Sequence, residues 1–407
     1  MVLWPVLALL GTQGFTPLLG IAALIALAFL PPLPRPSLLL ILFASFIIWV
    51  SAATSWSPAQ DGPLFSGSLA TQNFAVDFSP ARLMGMAMAA LITLGALNSA
   101  HHATRLSARV ITAVLLIHIG MVLITPPLLA PGLAIMYDDP AMAARDGMQN
   151  VLRFANASAL AAPVVLAAVW TAPLAVRLAF GAAIAGLAFM FALIGNAAGL
   201  LALAAASMAI FIVLLARQRG FVVLFAGLAT LVLAAPGLGH AARLLDRLDI
   251  NLPLSFQSRI WAWQAVSERV FERPWLGHGL EAASTWRETY TTRPEWLAEA
   301  VARGGEAAAW QRYPVVPSHP HNMALEIWAE TGAVGAMLAA GTLMALGLRL
   351  AGASALPRGA QIGAAGLTGA ATAIACVSYS AWNEAFWAGV TLLALCLLTV
   401  SRAARGA

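Results

Sequence analysis

Two histidines, His319 and His321, stand in the stretch SHPHNMALEIWAETGAVG, Ser318 to Gly335, with Asn322 beside them and a strongly apolar run directly after. Titratable groups at the edge of a bilayer-length apolar segment are costly, and they mark functional positions by default. Three chemistries are open to this pattern. A His-x-His pair with a third ligand such as His278 could hold a metal, although neither a neighbouring cysteine nor a His-x-x-x-His spacing accompanies it. The histidines could cap the following helix and meet lipid headgroups. One of them could instead accept a proton as a general base, since imidazole is near neutral at working pH. Residue order alone leaves all three standing.

A second group of residues lies upstream. Arg259 opens QSRIWAWQAV, and ERPWLGHGLE follows, in which Pro274, Gly277 and Gly279 predict a tight turn. A guanidinium fork near a membrane surface suits phosphate, and a lipid diphosphate asks for two or more such forks. A surface arginine can equally pair with a carboxylate, and Glu268 or another acid of the same segment would do. Arg82, Arg145 and Arg153 are further cations expected on the same side, with Arg82 and Arg153 close to the ends of apolar runs.

The elements that must position these residues are membrane spans. Of the 407 residues 61% are hydrophobic and 10% charged, far from the roughly 25% charged of a soluble domain. Apolar runs near 20 residues, bounded by Pro, Gly or charge, predict about twelve crossings: 2–13, 15–31, 36–54, 82–100, 107–127, 157–171, 174–195, 197–216, 218–236, 321–349, 359–379 and 383–401. The first two are short, and the first is expected to be tilted, re-entrant or a first span, with none of the features of a removed signal. Cys376 and Cys396 lie inside apolar runs and read as small buried hydrophobes, not as a disulfide framework.

Charge sets the orientation. The 22 basic residues are all arginine, and ten of them, Arg35, Arg105, Arg109, Arg177, Arg217, Arg219, Arg349, Arg358, Arg402 and Arg405, fall on one predicted side with no Asp or Glu. By the positive-inside rule that side, with both termini, is cytoplasmic. The 17 acids, among them Asp61, Asp77, Asp138, Asp139 and Glu384, fall on the other side or at its helix ends. The arginines are scattered without a basic run, so nucleic acid is not an expected partner.

The organisation that follows is nine spans over 1–236, one large external loop over 237–320, and three spans over 321–407. The loop carries nine Arg and nine acids, so an anion would have to be met by placed side chains and not by bulk field. It reads as mostly helical. Ile260, Trp263, Val266 and Val270 share one face of a predicted helix over 258–271, and the stretch from Trp296 to Trp310 is rich in Ala and Glu.

SRIWAWQAVSERVFERPWLGHGLE followed by HPHNMALEIWAETGAVG resembles the paired signature of the O-antigen ligase and polymerase superfamily, bacterial polytopic glycosyltransferases of GT-C type. In that family an Arg with a Trp shortly after it precedes Pro-x-x-Gly-x-Gly, and a His-Asn then leads a helix containing Glu-x-Gly-x-x-Gly. The matching positions are Arg259, Trp261 or Trp263, Pro274, Gly277, Gly279, His321, Asn322, Glu330, Gly332 and Gly335. One departure is that many members carry a Ser-Arg-Gly-like step at the outer start of span eight, where this chain reads IGNAAGLLAL with Asn196. The resemblance implies that Arg82 or Arg153 takes over that arginine's contact with the donor.

The resemblance further implies an all-α fold with a large periplasmic loop in the bacterial inner membrane, and transfer from an undecaprenyl-diphosphate-linked glycan without metal or other cofactor. His321 and Arg259 would be catalytic. Arg82, Arg153, His319, Asn322 and Glu330 would bind or orient, and Trp286, Tyr290, Trp296 and Trp310 could stack on sugars or anchor at the interface. The acceptor would be lipid A core oligosaccharide for a ligase, a second lipid-linked repeat for a polymerase, or Ser or Thr for a protein glycosyltransferase. A transporter of lipid-linked glycans is the non-enzymatic alternative, for which inverted repeats and mid-span charges would speak.

Overall fold

A computed structural model describes residues 1–30, 36–63, 79–99, 105–125, 147–242, 244, 252–353 and 356–405. Among the sequence expectations, Arg35, Asp77, Asp138, Asp139 and Arg145 lie outside the described residues. The described chain is helical, and its one β-bridge pairs Thr289 with Pro314. A bilayer explains this choice, because in hydrocarbon every backbone polar group must be satisfied within its own segment.

In chain order the helices are α1 (Trp4–Leu9), α2 (Phe15–Leu27), α3 (Leu38–Ala53), α4 (Ser79–Ser99), α5 (Arg105–Leu123), α6 (Met148–Val169), α7 (Leu174–Leu193), α8 (Ala197–Ala216), α9 (Arg219–Ala241), α10 (Leu254–Glu272), α11 (Pro294–Ala302), α12 (Ala307–Arg312), α13 (Met323–Ala351), α14 (Arg358–Val377) and α15 (Glu384–Arg405). Among the described residues ten of these, α3 to α9 and α13 to α15, are long and apolar enough to cross a membrane. The protein is therefore polytopic. The first two expected spans are shorter than the rest: α1 has 6 residues and α2 has 13. At about 1.5 Å per residue, α2 covers about 20 Å of a hydrocarbon core near 30 Å. A turn at Gly11 and Thr12, both with positive φ, separates them.

The helix ends sort into two faces. At one face the loop backbone ties to the span ends: the Leu280 N–H donates to the Ala53 carbonyl at 3.3 Å and the Ser57 hydroxyl to the Leu280 carbonyl at 2.6 Å. At the opposite face arginines cap neighbouring helices, Arg358 donating to the Leu214 carbonyl at 3.1 Å and Arg402 to the Leu97 carbonyl. α14 runs mostly enclosed, whereas α7 turns most of its surface outward, including Leu178, Phe189 and Leu193. α8 and α14 lie close because Gly369 backs directly onto the Ala205 carbonyl, the small-residue contact by which membrane helices approach.

Between α9 and α13 the chain builds its extramembrane unit. α10 buries Ile260, Val266 and Val270 of the expected face, while the expected Trp263 is half-buried and Trp261 is the tryptophan that enters the core. Trp261 stacks on Trp296 with ring centroids 6.1 Å apart and meets Tyr290 edge-on at 5.6 Å. Tyr290 is fully buried and Trp296 nearly so. These two aromatics therefore fill the loop's own core and do not face a ligand.

α13 spans 29 residues but is broken at Gly332, whose φ of 64° and ψ of −166° are not helical. The break is repaired from outside. The Ala333 N–H donates to the Pro274 carbonyl at 2.8 Å and the Val334 N–H to the Trp275 carbonyl at 3.4 Å, while the Ala329 and Glu330 carbonyls accept from His278 N–H at 2.8 Å and Gly279 N–H at 2.9 Å. The Pro-x-x-Gly-x-Gly turn and the Glu-x-Gly step are thus two halves of one joint. A side chain at Gly277 would meet the Glu330 carbonyl, and one at Gly332 the Trp275 carbonyl. The 19 residues after the break, about 28 Å of helix, match the hydrocarbon thickness, which leaves the first nine for the site.

Candidate functional site

Ser318 and His321 both adopt left-handed backbone, with φ of 59° and 53°, which folds SHPHN into a compact corner at the mouth of α13. Such conformations are costly for non-glycine residues and cluster at functional sites. Asn322 then begins the helix in extended backbone, its Oδ1 accepting from the Leu325 N–H at 3.2 Å. It is an N-cap, and holds the histidines at the helix entrance. α10 is fastened to the same corner, since the Trp263 indole N–H donates to the Pro320 carbonyl at 2.9 Å.

That fastening brings Arg259 to the histidines. Its Nη1 donates to the Ser255 carbonyl at 2.7 Å, one turn back on its own helix, while its buried Nε has no hydrogen-bond partner. Pairing with Glu268 does not occur: Glu268 holds Arg293 at 2.6 Å. Burial lowers the proton affinity of Arg259 from its usual high value, opposed by Tyr313 nearby. An arginine stays charged even so, and a half-buried guanidinium without a carboxylate is a ready site for an anionic group.

The two imidazoles lie with ring centroids 4.2 Å apart. His321 Nδ1 is 3.0 Å from the Ser378 carbonyl. A carbonyl can only accept, so Nδ1 carries the proton and Nε2 keeps its lone pair. Burial lowers the pKa of His321, the Ser378 carbonyl opposes the shift and Arg259 adds to it. His319 is pushed down to about 4, by burial first and then by His321. Its Nδ1 meets the Ser318 hydroxyl at 3.1 Å, and its Nε2 is buried with no partner. Neutral His321 can take a proton through Nε2.

The remaining candidates divide. Glu330 is fully buried and stands apart from the histidines, its Oε2 accepting from the Trp382 indole N–H and the Glu281 N–H, both at 2.6 Å. It ties the Gly332 joint to the link between α14 and α15. Arg82 pairs with Glu384 at 2.6 Å. Arg153 donates to Asn150 at 3.3 Å and lies close enough to Tyr379 to influence it electrostatically, and Tyr379 directly follows the residue that holds His321. No carboxylate pairs with Arg153 among the described residues. Asn196 is a buried N-cap of α8 that accepts from the Gly199 N–H at 3.0 Å. His278 is engaged by the Arg269 carbonyl at 2.8 Å, and no group of three or more His, Cys, Asp or Glu among the described residues is placed to hold a metal ion.

Sequence reasoning missed Ser378, Ser380, Glu281 and Glu326. Glu281 sits in left-handed backbone with φ of 57°, accepts from the Ser79 hydroxyl at 3.2 Å, and has its pKa raised by burial, offset by Arg82. The visible signal was SYSAWNE, Ser378 to Glu384, a polar interruption between the last two apolar runs. Its partner could not be read from order.

Residues 182–340 match a protein-family model described as O-antigen ligase. The matched segment contains Arg259, both histidines and both halves of the Gly332 joint, and it agrees with the resemblance drawn from those motifs. No curated protein and no solved structure matches the chain.

Proposed function

We infer from its place in the O-antigen ligase family, matched over residues 182–340, that this chain transfers a glycan from a polyprenyl diphosphate, and we assign it the ligase reaction. Polysaccharide carried on undecaprenyl diphosphate would pass to lipid A core oligosaccharide. The site would lie at the periplasmic face of a bacterial inner membrane, because the acid-free arginine series occupies the helix ends of the other face.

The observation that carries this reading is Arg259 held beside His321 without a carboxylate among the described residues, with the Nε2 lone pair of His321 left to act as a base. The acceptor hydroxyl gives its proton to Nε2 as its oxygen attacks the anomeric carbon. The bond from that carbon to the diphosphate oxygen breaks, and the lipid diphosphate leaves with the electron pair. A single displacement inverts the anomeric centre. Arg259 meets the charge that grows on the leaving group, which counts most in a partly desolvated site. Arg153 is the better placed of the two second cations, since Arg82 is committed to Glu384. The positive charge is that of guanidinium groups, and no cofactor is invoked. His319 is a helper, Asn322 sets the helix entrance, and Glu330 acts through the fold.

The His321→Ala variant tests the reading. Transfer by purified protein should fall by about 10²–10⁴-fold while binding of the lipid-linked donor stays near normal. Near-normal turnover would remove the base role.

A further inference from the structure

The first half of α13 carries two carboxylates one turn apart, Glu326 and Glu330, 2% and 0% exposed. Neither meets a cation among the described residues. Both face the link between α14 and α15. Glu326 accepts from the Ser380 hydroxyl and from the Ala381 N–H, each at 2.7 Å, and Glu330 accepts from the next residue, Trp382, through its indole. The Ser380 hydroxyl oxygen in turn accepts from the Trp382 N–H at 3.2 Å and closes the turn. Three consecutive residues are thereby gripped from one helix.

What this grip aims is the residue before it. Ser378 ends α14 in non-helical backbone, with φ of −135° and ψ of −53°, so its carbonyl is released from the helical ladder and is directed by whatever fixes the link. That carbonyl is the acceptor for His321 Nδ1. The other groups close to His321 are His319 and Arg259. Arg259 only donates, and His319, whose Nδ1 meets the Ser318 hydroxyl, itself lies within reach of the Ser378 carbonyl.

We propose that Glu326 is a positioning residue for His321: through Ser380 and Ala381 it directs the Ser378 carbonyl and so fixes which imidazole nitrogen is free. A carboxyl group suits this task because its two oxygens reach the Ser380 hydroxyl and the Ala381 N–H at once. A glutamine would keep its oxygen on the Ala381 N–H and present its N–H₂ group to Ser380, whose hydroxyl would have to turn its own hydrogen away. This role rests on His321 being the base of the proposed transfer reaction, although the tautomer it predicts is measurable without that reaction.

The experiment uses the full chain in detergent, labelled with ¹⁵N-histidine, with the His321 signals assigned by their loss in His321→Ala. Wild type should show the Nδ1–H form of His321. Ser380→Ala and Glu326→Gln should shift it toward the Nε2–H form and lower kcat about tenfold or more, with donor KM within about twofold because Arg259 stands on a different helix. Ser380→Thr, which keeps the hydroxyl, should restore both tautomer and kcat. An unchanged His321 tautomer in folded Ser380→Ala would overturn the proposal, as would equal loss of donor binding and turnover. Ser380→Ala carries the test alone if Glu326→Gln does not fold. Absence of transfer by wild type would instead overturn the glycosyl-transfer reading, and the tautomer result would still decide the role of Glu326.

Discussion

In the proposed reaction His321 and Arg259 divide the work at the level of single residues, one taking a proton and the other meeting the charge that grows on the leaving group. Their pairing predicts distinct failures. Arg259→Lys keeps the charge but loses the planar fork, so kcat/KM for the lipid-linked donor should fall by about ten- to a hundredfold, and equal activity of the lysine variant would show that a point charge suffices. Because the pKa of His321 is lowered by burial, the base is already neutral at pH 7, and the acid limb of kcat/KM should lie below the ordinary imidazole value near 6.5. An acid limb at or above that value would contradict the assignment. Both residues drew notice in the sequence, His321 as a polar group beside a bilayer-length apolar run and Arg259 at the head of QSRIWAWQAV. Glu326 and Ser378 were not legible: one lies inside an apolar helical run with no partner visible in residue order, and the other contributes only a backbone carbonyl.

At the scale of elements, the controlling feature is the joint between the Pro274–Gly279 turn and the break at Gly332. It gives two glycine-rich motifs one purpose, since a broken membrane helix needs its four freed backbone groups satisfied. Gly332→Ala places a Cβ against the Trp275 backbone at a positive φ, and strain of this kind costs on the order of 1–3 kcal/mol. The expected result is a lower unfolding temperature in detergent and faster proteolysis of the 254–312 segment, whereas Gly227→Ala on α9, which meets open space, should leave both unchanged. Equal behaviour of the two variants would show that the joint does not hold the loop. Sequence reading singled out both motifs and three of the four residues on the buried face of α10, with Trp263 half-buried where Trp261 fills the core. It could not see that one motif completes the other, because backbone hydrogen bonds across more than fifty residues leave no trace in side-chain pattern. It also read Tyr290 and Trp296 as possible sugar platforms, and packing against Trp261 claims them instead.

For the whole molecule, ten of the expected spans are helices long and apolar enough to cross a membrane among the described residues, and α1 and α2, expected to be short, are short helices around a glycine turn. Charge asymmetry carries the orientation. A cysteine placed at the exposed Arg312 should react with an impermeant maleimide in intact spheroplasts, and one at Arg217 only after permeabilisation; the reverse pattern would invert the assigned topology. The two native cysteines, Cys376 and Cys396, lie in helices that cross the membrane and should give little background. The central claim is transfer from a lipid diphosphate to lipid A core, and purified protein in detergent tests it most directly, with no membrane across which a carrier could act. Given undecaprenyl-diphosphate-linked polysaccharide together with either lipid A core or a second lipid-linked repeat unit, the protein should extend the core. Extension of the second repeat alone would contradict the ligase assignment, and extension of neither would contradict glycosyl transfer itself.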